Sequence, residues 1–443
     1  MRRRPRAVET WWAPLRVLWA VVAAAVIAAV TLWAPVVVLC VLGIAFSTAL
    51  VPRPVRVGFV VVAGVKGGLA FVVTVAAVVL YPDGLLPGQS DQAFYVETAH
   101  AIAMASLTEG TAVLDYSSIV ELHNLSYNVL IGWATSLNPY GGVGGASGGT
   151  TVANLLSYRF LNILFSTLLL AAALGLVGRL YGESRSAPLY RTLALWGVGL
   201  MPSVVIYSQM VLRDVMIAML FTAFVYGLVA RRPLLTVAVT ALMYLTRLQL
   251  GLILCVGVVG WALLRILGGR RRGPVQTGVS LAVLGATAFG ATFVFPSVAF
   301  VRGYVKPEVI VDLVTFFPSS ILGLDVLFAP AEDLALSRAA LLRTRLVVPD
   351  TFLVPLLAAL AAVVGPRGDR SQRSSETTLV VWAMVLVYAL SYYVYYGFMF
   401  VRLMMPFYGV LFVLALPLVL RVLRRLRVVP RRDRPYRPAA VVA

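Results

Sequence analysis

The sequence predicts an all-α fold, a polytopic bundle of about twelve transmembrane helices with outer-face loops containing amphipathic helices. Three observations predict it. Of 443 residues, 60% are hydrophobic and only 12% are charged, with a mean hydropathy of +0.92; soluble domains carry about a quarter charged residues. The apolar residues fall in runs close to the roughly 20 residues that a helix needs to cross a bilayer. The charge, a net +19, sits between those runs in short basic clusters: RRRPR at 2–6, PRPVR at 52–56, RR at 231–232, RRR at 270–272 and RVLRRLRVVPRRDRPYR at 421–437. Cytoplasmic loops of membrane proteins carry that bias.

In chain order, residues 17–51 hold 35 residues without a charge. That is too long for one helix, and Trp33-Ala34-Pro35 predicts a turn between two spans. Further spans are expected at 57–81, 158–178, 192–209, 215–230, 234–246, 248–268, 276–296, 351–365, 378–396 and 403–423. With both termini in the cytoplasm, the cytoplasmic segments hold 25 of 37 Lys/Arg and 5 of 18 Asp/Glu, the asymmetry expected for that orientation. Residues 1–423 read as one transmembrane domain and 424–443 as a basic cytoplasmic tail. The first apolar run is far longer than the apolar core of a signal peptide and predicts mature membrane structure.

Two long outer loops follow, 82–157 and 297–350. The first holds six carboxylates, both histidines and no Lys or Arg. Within it, AFYVETAHAIAMASL places Phe94, Ala99, Ile102, Ala103 and Ser106 near one helical face. SIVELHNLSYNVLIGWATSL (118–137) predicts a second outer helix or a re-entrant segment. GGVGGASGGTT (141–151) is a flexible tract; without a following Lys or a strand-to-helix setting it is not a phosphate-binding loop. Cys40 and Cys255 lie in separate apolar runs, so neither a disulfide framework nor a thiolate metal site follows. The basic clusters point to membrane lipid headgroups rather than nucleic acid, since no soluble domain displays them.

Chemistry-bearing residues gather at the outer face. Ser90 and Asp91 stand where the first outer helix should begin, and either is an ordinary N-cap. The Asp91 carboxylate also lies beside the membrane boundary, where partial desolvation raises a carboxylate pKa and lets it accept a proton near neutral pH. Tyr95, four residues on, shares its face; Glu97 and His100 point elsewhere. In YSQMVLRDVMIAML (207–220), Arg213 and Asp214 end a span. They form either a local ion pair or a phosphate-binding arginine with an acidic partner. Arg247 interrupts YLTRLQLGLIL, and Arg402 opens the last span beside a tyrosine belt. Arginine at an outer face runs against the charge bias and marks a cavity, or an interfacial anchor. Lys66 lies inside a span and either pairs with a carboxylate or snorkels. His123 is a candidate for acceptor binding; with His100 it forms no zinc-binding spacing. No Gly-x-Ser-x-Gly motif is present.

Four stretches together resemble the GT-C superfamily of polyprenyl-phosphate-dependent glycosyltransferases, near the protein O-mannosyltransferase and aminoarabinose-transferase branch. They are SDQAFYVETAHAIA, SYRFLNILFSTLLLAAALGLVGRLYG (157–182), MPSVVIYSQMVLRDVMIAMLFTAFVYGLV (201–229) and FVRLMMPFYGVLFVLAL (400–416). Their order and spacing agree over most of residues 57–420. The family often has two adjacent acidic residues in the first loop, where this chain has Asp91-Gln92, and the hairpin at 17–51 precedes the usual start. The resemblance implies inverting sugar transfer at the extracytoplasmic face of a bacterial cell membrane. Asp91 would be the base, and Arg213, Arg247 and Arg402 would face the phosphate of a polyprenyl-linked donor. Tyr95 and Asp214 would line the same cavity, and a glycan, lipid or protein would supply the acceptor hydroxyl. This reading names no cofactor, and Asp91-Gln92 in place of two acids leaves a divalent metal open. Two other classes compete: a polysaccharide repeat-unit polymerase or ligase resting on Arg338, Arg343 or Arg345, and a lipid-linked glycan flippase or transporter.

Overall fold

The computed structural model describes residues 33–81, 84–86, 90–108, 124–138, 151–266, 338–364, 372–396 and 401–429. The regular elements among these residues are all helices, with no strand among them. The first part of the expected hairpin at 17–51, up to residue 32, and the expected span at 276–296 lie outside the described residues, as do residues 141–150 of the Gly/Ser tract and His123.

The first described helix, α1 (Pro35–Leu50), starts at the expected break, with Pro35 in its first turn and Ala34 outside helical geometry ahead of it. A short turn at Arg53–Val55 leads to α2 (Arg56–Leu80). Then come α3 (Ser90–Thr108), α4 (Leu125–Leu137), α5 (Val152–Tyr181), α6 (Ala187–Gly199), α7 (Pro202–Ser208), α8 (Asp214–Ala230), α9 (Pro233–Thr246) and α10 (Leu248–Ile266). Beyond residue 337 lie α11 (Arg338–Val364), α12 (Gln372–Tyr396) and α13 (Val401–Arg425).

Four of these segments are long and apolar enough to cross a membrane: Arg53–Leu80, Val152–Tyr181, Arg345–Val363 and Leu403–Arg425. A fifth results if α6 and α7, bent by 46° at their junction, count as one broken span. Shorter apolar helices, α1, α8, α9 and parts of α10 and α12, pack among them. The outward faces of α1 and α2 are apolar: Leu42, Phe46, Val57, Phe71, Val72 and Val79 are all exposed. A helix that shows hydrocarbon on its open side fits a lipid surround. The protein is therefore a membrane protein.

Three boundaries differ from expectation, each for a local reason. Helix α5 begins six residues earlier than predicted, because Thr151 caps it through the Asn154 amide at 3.3 Å. Arg159 does not end the span; it is fully buried on protein acceptors. The span expected at 192–209 breaks before Pro202, whose ring cannot continue the helical ladder. Helix α11 reaches back to Arg338, so the end of the second long loop is helical. On α3, Ala99, Ile102 and Ala103 are buried as expected, but Phe94 is 46% exposed. The buried face runs instead through Gln92, Tyr95, Val96 and Ala99, a tighter fit to the 3.6-residue period.

Helices α2 and α5 run antiparallel, since Thr74 meets Arg159 and Lys66 meets Ser166. The Lys66 ammonium donates to Ser166 Oγ at 3.2 Å and does not snorkel, being fully buried. Helices α8 and α9 form a close hairpin; a Cβ on Gly227 would lie 2.7 Å from Thr236 Oγ1, so only glycine permits this approach. Helix α13 passes through the centre, with Phe407 against Phe221 of α8 at 4.7 Å and against Tyr388 of α12 at 5.1 Å. The helix ends sort into two sets. One carries Arg53, Arg56, Arg179, Arg231, Arg232, Arg424 and Arg425, with Arg424 donating to Ser186 Oγ at 3.0 Å in the α5–α6 turn. The opposite end gathers the start of α3, the α7–α8 break and the α9–α10 break.

Candidate functional site

The site is built on a break in the bundle. Between α7 and α8, residues 209–213 leave the helical path, which frees the backbone groups of that turn. Buried polar groups must find partners, and three side chains supply them. Arg159 Nε donates to the Gln209 carbonyl at 2.8 Å. Asn162 Nδ2 donates to the carbonyls of Met210 at 2.6 Å and Leu212 at 3.2 Å. The Val211 amide donates to Gln92 Oε1 at 3.1 Å. Gln92 also donates from Nε2 to the Leu86 carbonyl at 2.8 Å. An amide donates and accepts at once, which an ionised carboxylate cannot do. Position 92 is therefore a structural bridge between α3 and the break, and this explains a glutamine where a second acid was expected.

The pinned turn delivers Arg213 and Asp214 at the start of α8. Arg213 is partly buried; its Nη1 donates to Asn124 Oδ1, ahead of α4, and to the Thr246 carbonyl at 2.7 Å. Thr246 ends α9, and its hydroxyl pairs with Ser126 of α4 at 2.6 Å. Arg247 follows in extended backbone at the α9–α10 break and is 7% exposed. One arginine thus ties together the α7–α8 break, the start of α4 and the end of α9.

Asp214 is 1% exposed. Its charge acts on the Tyr127 phenol of α4, which is fully buried. Burial raises the Tyr127 pKa far above its ordinary value; Tyr95 and Asp214 push the same way, and the contact with Asn162 opposes them. Tyr127 is therefore a neutral hydroxyl, reached by Asn162 Nδ2 at 3.3 Å. Tyr95 meets it edge to face, with centroids 5.3 Å apart, a geometry worth roughly 0.5–1.5 kcal/mol beyond simple burial. Through this pair, α3 docks on the wall that Asp214 occupies.

The structure thus brings Tyr95, Arg213 and Asp214 into one neighbourhood, with Arg247 next to the residue that accepts from Arg213. Asp91 lies in the first turn of α3, half-buried, one turn before Tyr95. Arg402 is the second residue of α13, above the Phe407–Phe221 contact, and its side chain lies outside the described residues. His100 is half-buried, and desolvation lowers its pKa. Among the described residues no three His, Cys, Asp or Glu side chains form a metal-binding group.

Sequence reasoning missed the supporting set: Gln92, Asn124, Tyr127, Arg159 and Asn162. A signal existed for two of them. Tyr158, Asn162 and Ser166 recur at four-residue spacing inside an apolar span, with Arg159 beside the first, which is a polar stripe on a helix that has no solvent to face. Asp350 closes the second long loop predicted from the sequence. It is buried within α11, and its Oδ2 accepts the Ser203 amide at 2.6 Å, at the start of α7. No known protein family, curated protein or solved structure matches the chain.

Proposed function

We propose that the chain is an integral-membrane glycosyltransferase of the GT-C type. It moves a sugar from a polyprenyl-phosphate donor to an acceptor hydroxyl at the extracytoplasmic face of a bacterial cell membrane, in a bundle of about twelve spans with both termini in the cytoplasm. The observation that supports the reading most directly is the pinned break at 209–213. It holds a cation, Arg213, and a buried acid, Asp214, at the end of the bundle opposite the basic clusters, beside the helix whose first turn carries Asp91.

In this reaction Asp91 takes the proton of the acceptor hydroxyl. The hydroxyl oxygen forms a bond to the anomeric carbon from the face opposite the leaving group. The bond from that carbon to the phosphate oxygen breaks, and polyprenyl phosphate leaves with the electron pair. Arg213, Arg247 and Arg402 stabilise the charge that develops on the phosphate. Tyr127 and Tyr95 close the wall behind Asp214 and exclude water.

The test is transfer by the full chain in lipid vesicles, with a panel of polyprenyl-phosphate sugars. Asp91→Asn should lower kcat by about 100-fold or more, the scale of a lost general base, with membrane insertion unchanged. Full activity in Asp91→Asn, together with loss on substitution of Arg345, would overturn the assignment in favour of a polymerase.

A further inference from the structure

A groove of about 1000 Å³ lies on the other side of α9, between the α8–α9 hairpin and α10. Its walls are apolar for most of their length: Val237 and Tyr244 from α9, and Val258 and Val259 from α10. All four are exposed, Val237 by 68%. One end is different. There the lining residues are Trp261, Arg231 and Arg232.

Several features concentrate positive charge at that end. Both arginines are exposed. Arg231 holds left-handed backbone, φ 57°, as the C-cap of α8, a position that usually takes glycine. Arg232 lies over the Tyr226 ring at 5.9 Å and precedes α9. Helix α9 starts with Pro233 and has no side-chain cap, so the positive end of its dipole opens on the same spot. Two guanidinium groups and a helix N-terminus therefore stand at the mouth of an apolar channel.

We propose that this groove binds an anionic diacyl phospholipid, with its chains along α9 and α10 and its phosphate on Arg231 and Arg232. Charge complementarity fixes the direction. The far end is lined by Tyr244 and Leu245 and carries no lining charge, so only the arginine end receives a phosphate. The volume stands at the upper end of the ~300–1,000 Å³ usual for ligand pockets, which suits a two-chain lipid. The arginine end belongs to the basic end of the bundle, where anionic headgroups attract Lys and Arg. This site is separate from the sugar-transfer reading and survives its failure.

The test uses the delipidated full chain in detergent, titrated with phosphatidylglycerol or with phosphatidylcholine. Retention is read by native mass spectrometry. Contact is read by quenching from bromine-labelled acyl chains, as the difference between wild type and Trp261→Phe. Phosphatidylglycerol should bind about 30-fold more tightly, from two arginine contacts. The double variant Arg231→Gln, Arg232→Gln should lose that preference, and Arg231→Lys, Arg232→Lys should keep most of it. Val237→Trp, which fills the groove, should exclude both lipids. Equal binding of the two lipids, or a preference unchanged in the glutamine variant, overturns the proposal. So does displacement of phosphatidylglycerol by polyprenyl phosphate at equal ratio, since the groove would then hold a carrier lipid.

Discussion

Single side chains decide how the site is held. Gln92 uses both ends of its amide, one on the Leu86 carbonyl and one on the Val211 amide. Gln92→Glu keeps the shape and loses the donor, leaving a buried carbonyl unsatisfied. The expected cost is about 1–3 kcal/mol, read as a lower thermal midpoint in detergent; an unchanged midpoint would mean that the bridge is not formed. His100 gives a pH signature. Desolvation lowers its pKa below the ordinary 6.5, so below that value the unfolded chain binds the proton more readily than the folded one. Stability should fall as pH drops through 6.5, and His100→Gln should flatten that part of the profile. Unfolding midpoints between pH 5 and 8 check it.

At the level of helices, the broken span α6–α7 shows what was legible in the sequence and what was not. Pro202 supplies the physical reason for the break, because proline in a helix interior removes a ladder bond, yet run length alone predicts one continuous span over 192–209. The partner that makes the break tolerable, Asp350, lies 147 positions away, and no local pattern points to it. Asp350→Ala should cost about 0.5–2 kcal/mol, the range for losing an N-terminal cap, and Asp350→Asn less; equal midpoints for all three proteins would count against the contact. The same contrast holds around the candidate site. Apolar run length located most described helices to within a few residues, and charge identified Arg213 and Asp214. Contacts between distant helices were not legible, because Asn162, Tyr127 and Gln92 owe their roles to what stands opposite them. Phe94 failed for another reason: the expected face holds at Ala99, Ile102 and Ala103, but in the first turn a buried glutamine, Gln92, and Tyr95 lead the packed face instead.

For the molecule as a whole, the two sets of helix ends carry different charge, and the surface between them includes apolar faces on α1 and α2. The asymmetry makes orientation testable. In a Cys40→Ala, Cys255→Ala background, cysteines placed at the exposed positions Glu97 and Arg425 should label differently with a membrane-impermeant thiol reagent. The first should react on intact spheroplasts and the second only after lysis; the reverse pattern would invert the assignment of the faces. The turn at 209–212 sets a limit on how this molecule can move. Three of its carbonyls and the Val211 amide are gripped from α3 and α5, so it moves only with those helices. Amide hydrogens should accordingly exchange slowly across 209–212 although the stretch is not helical, as a keystone stays put without mortar; fast exchange there would show the grip to be loose.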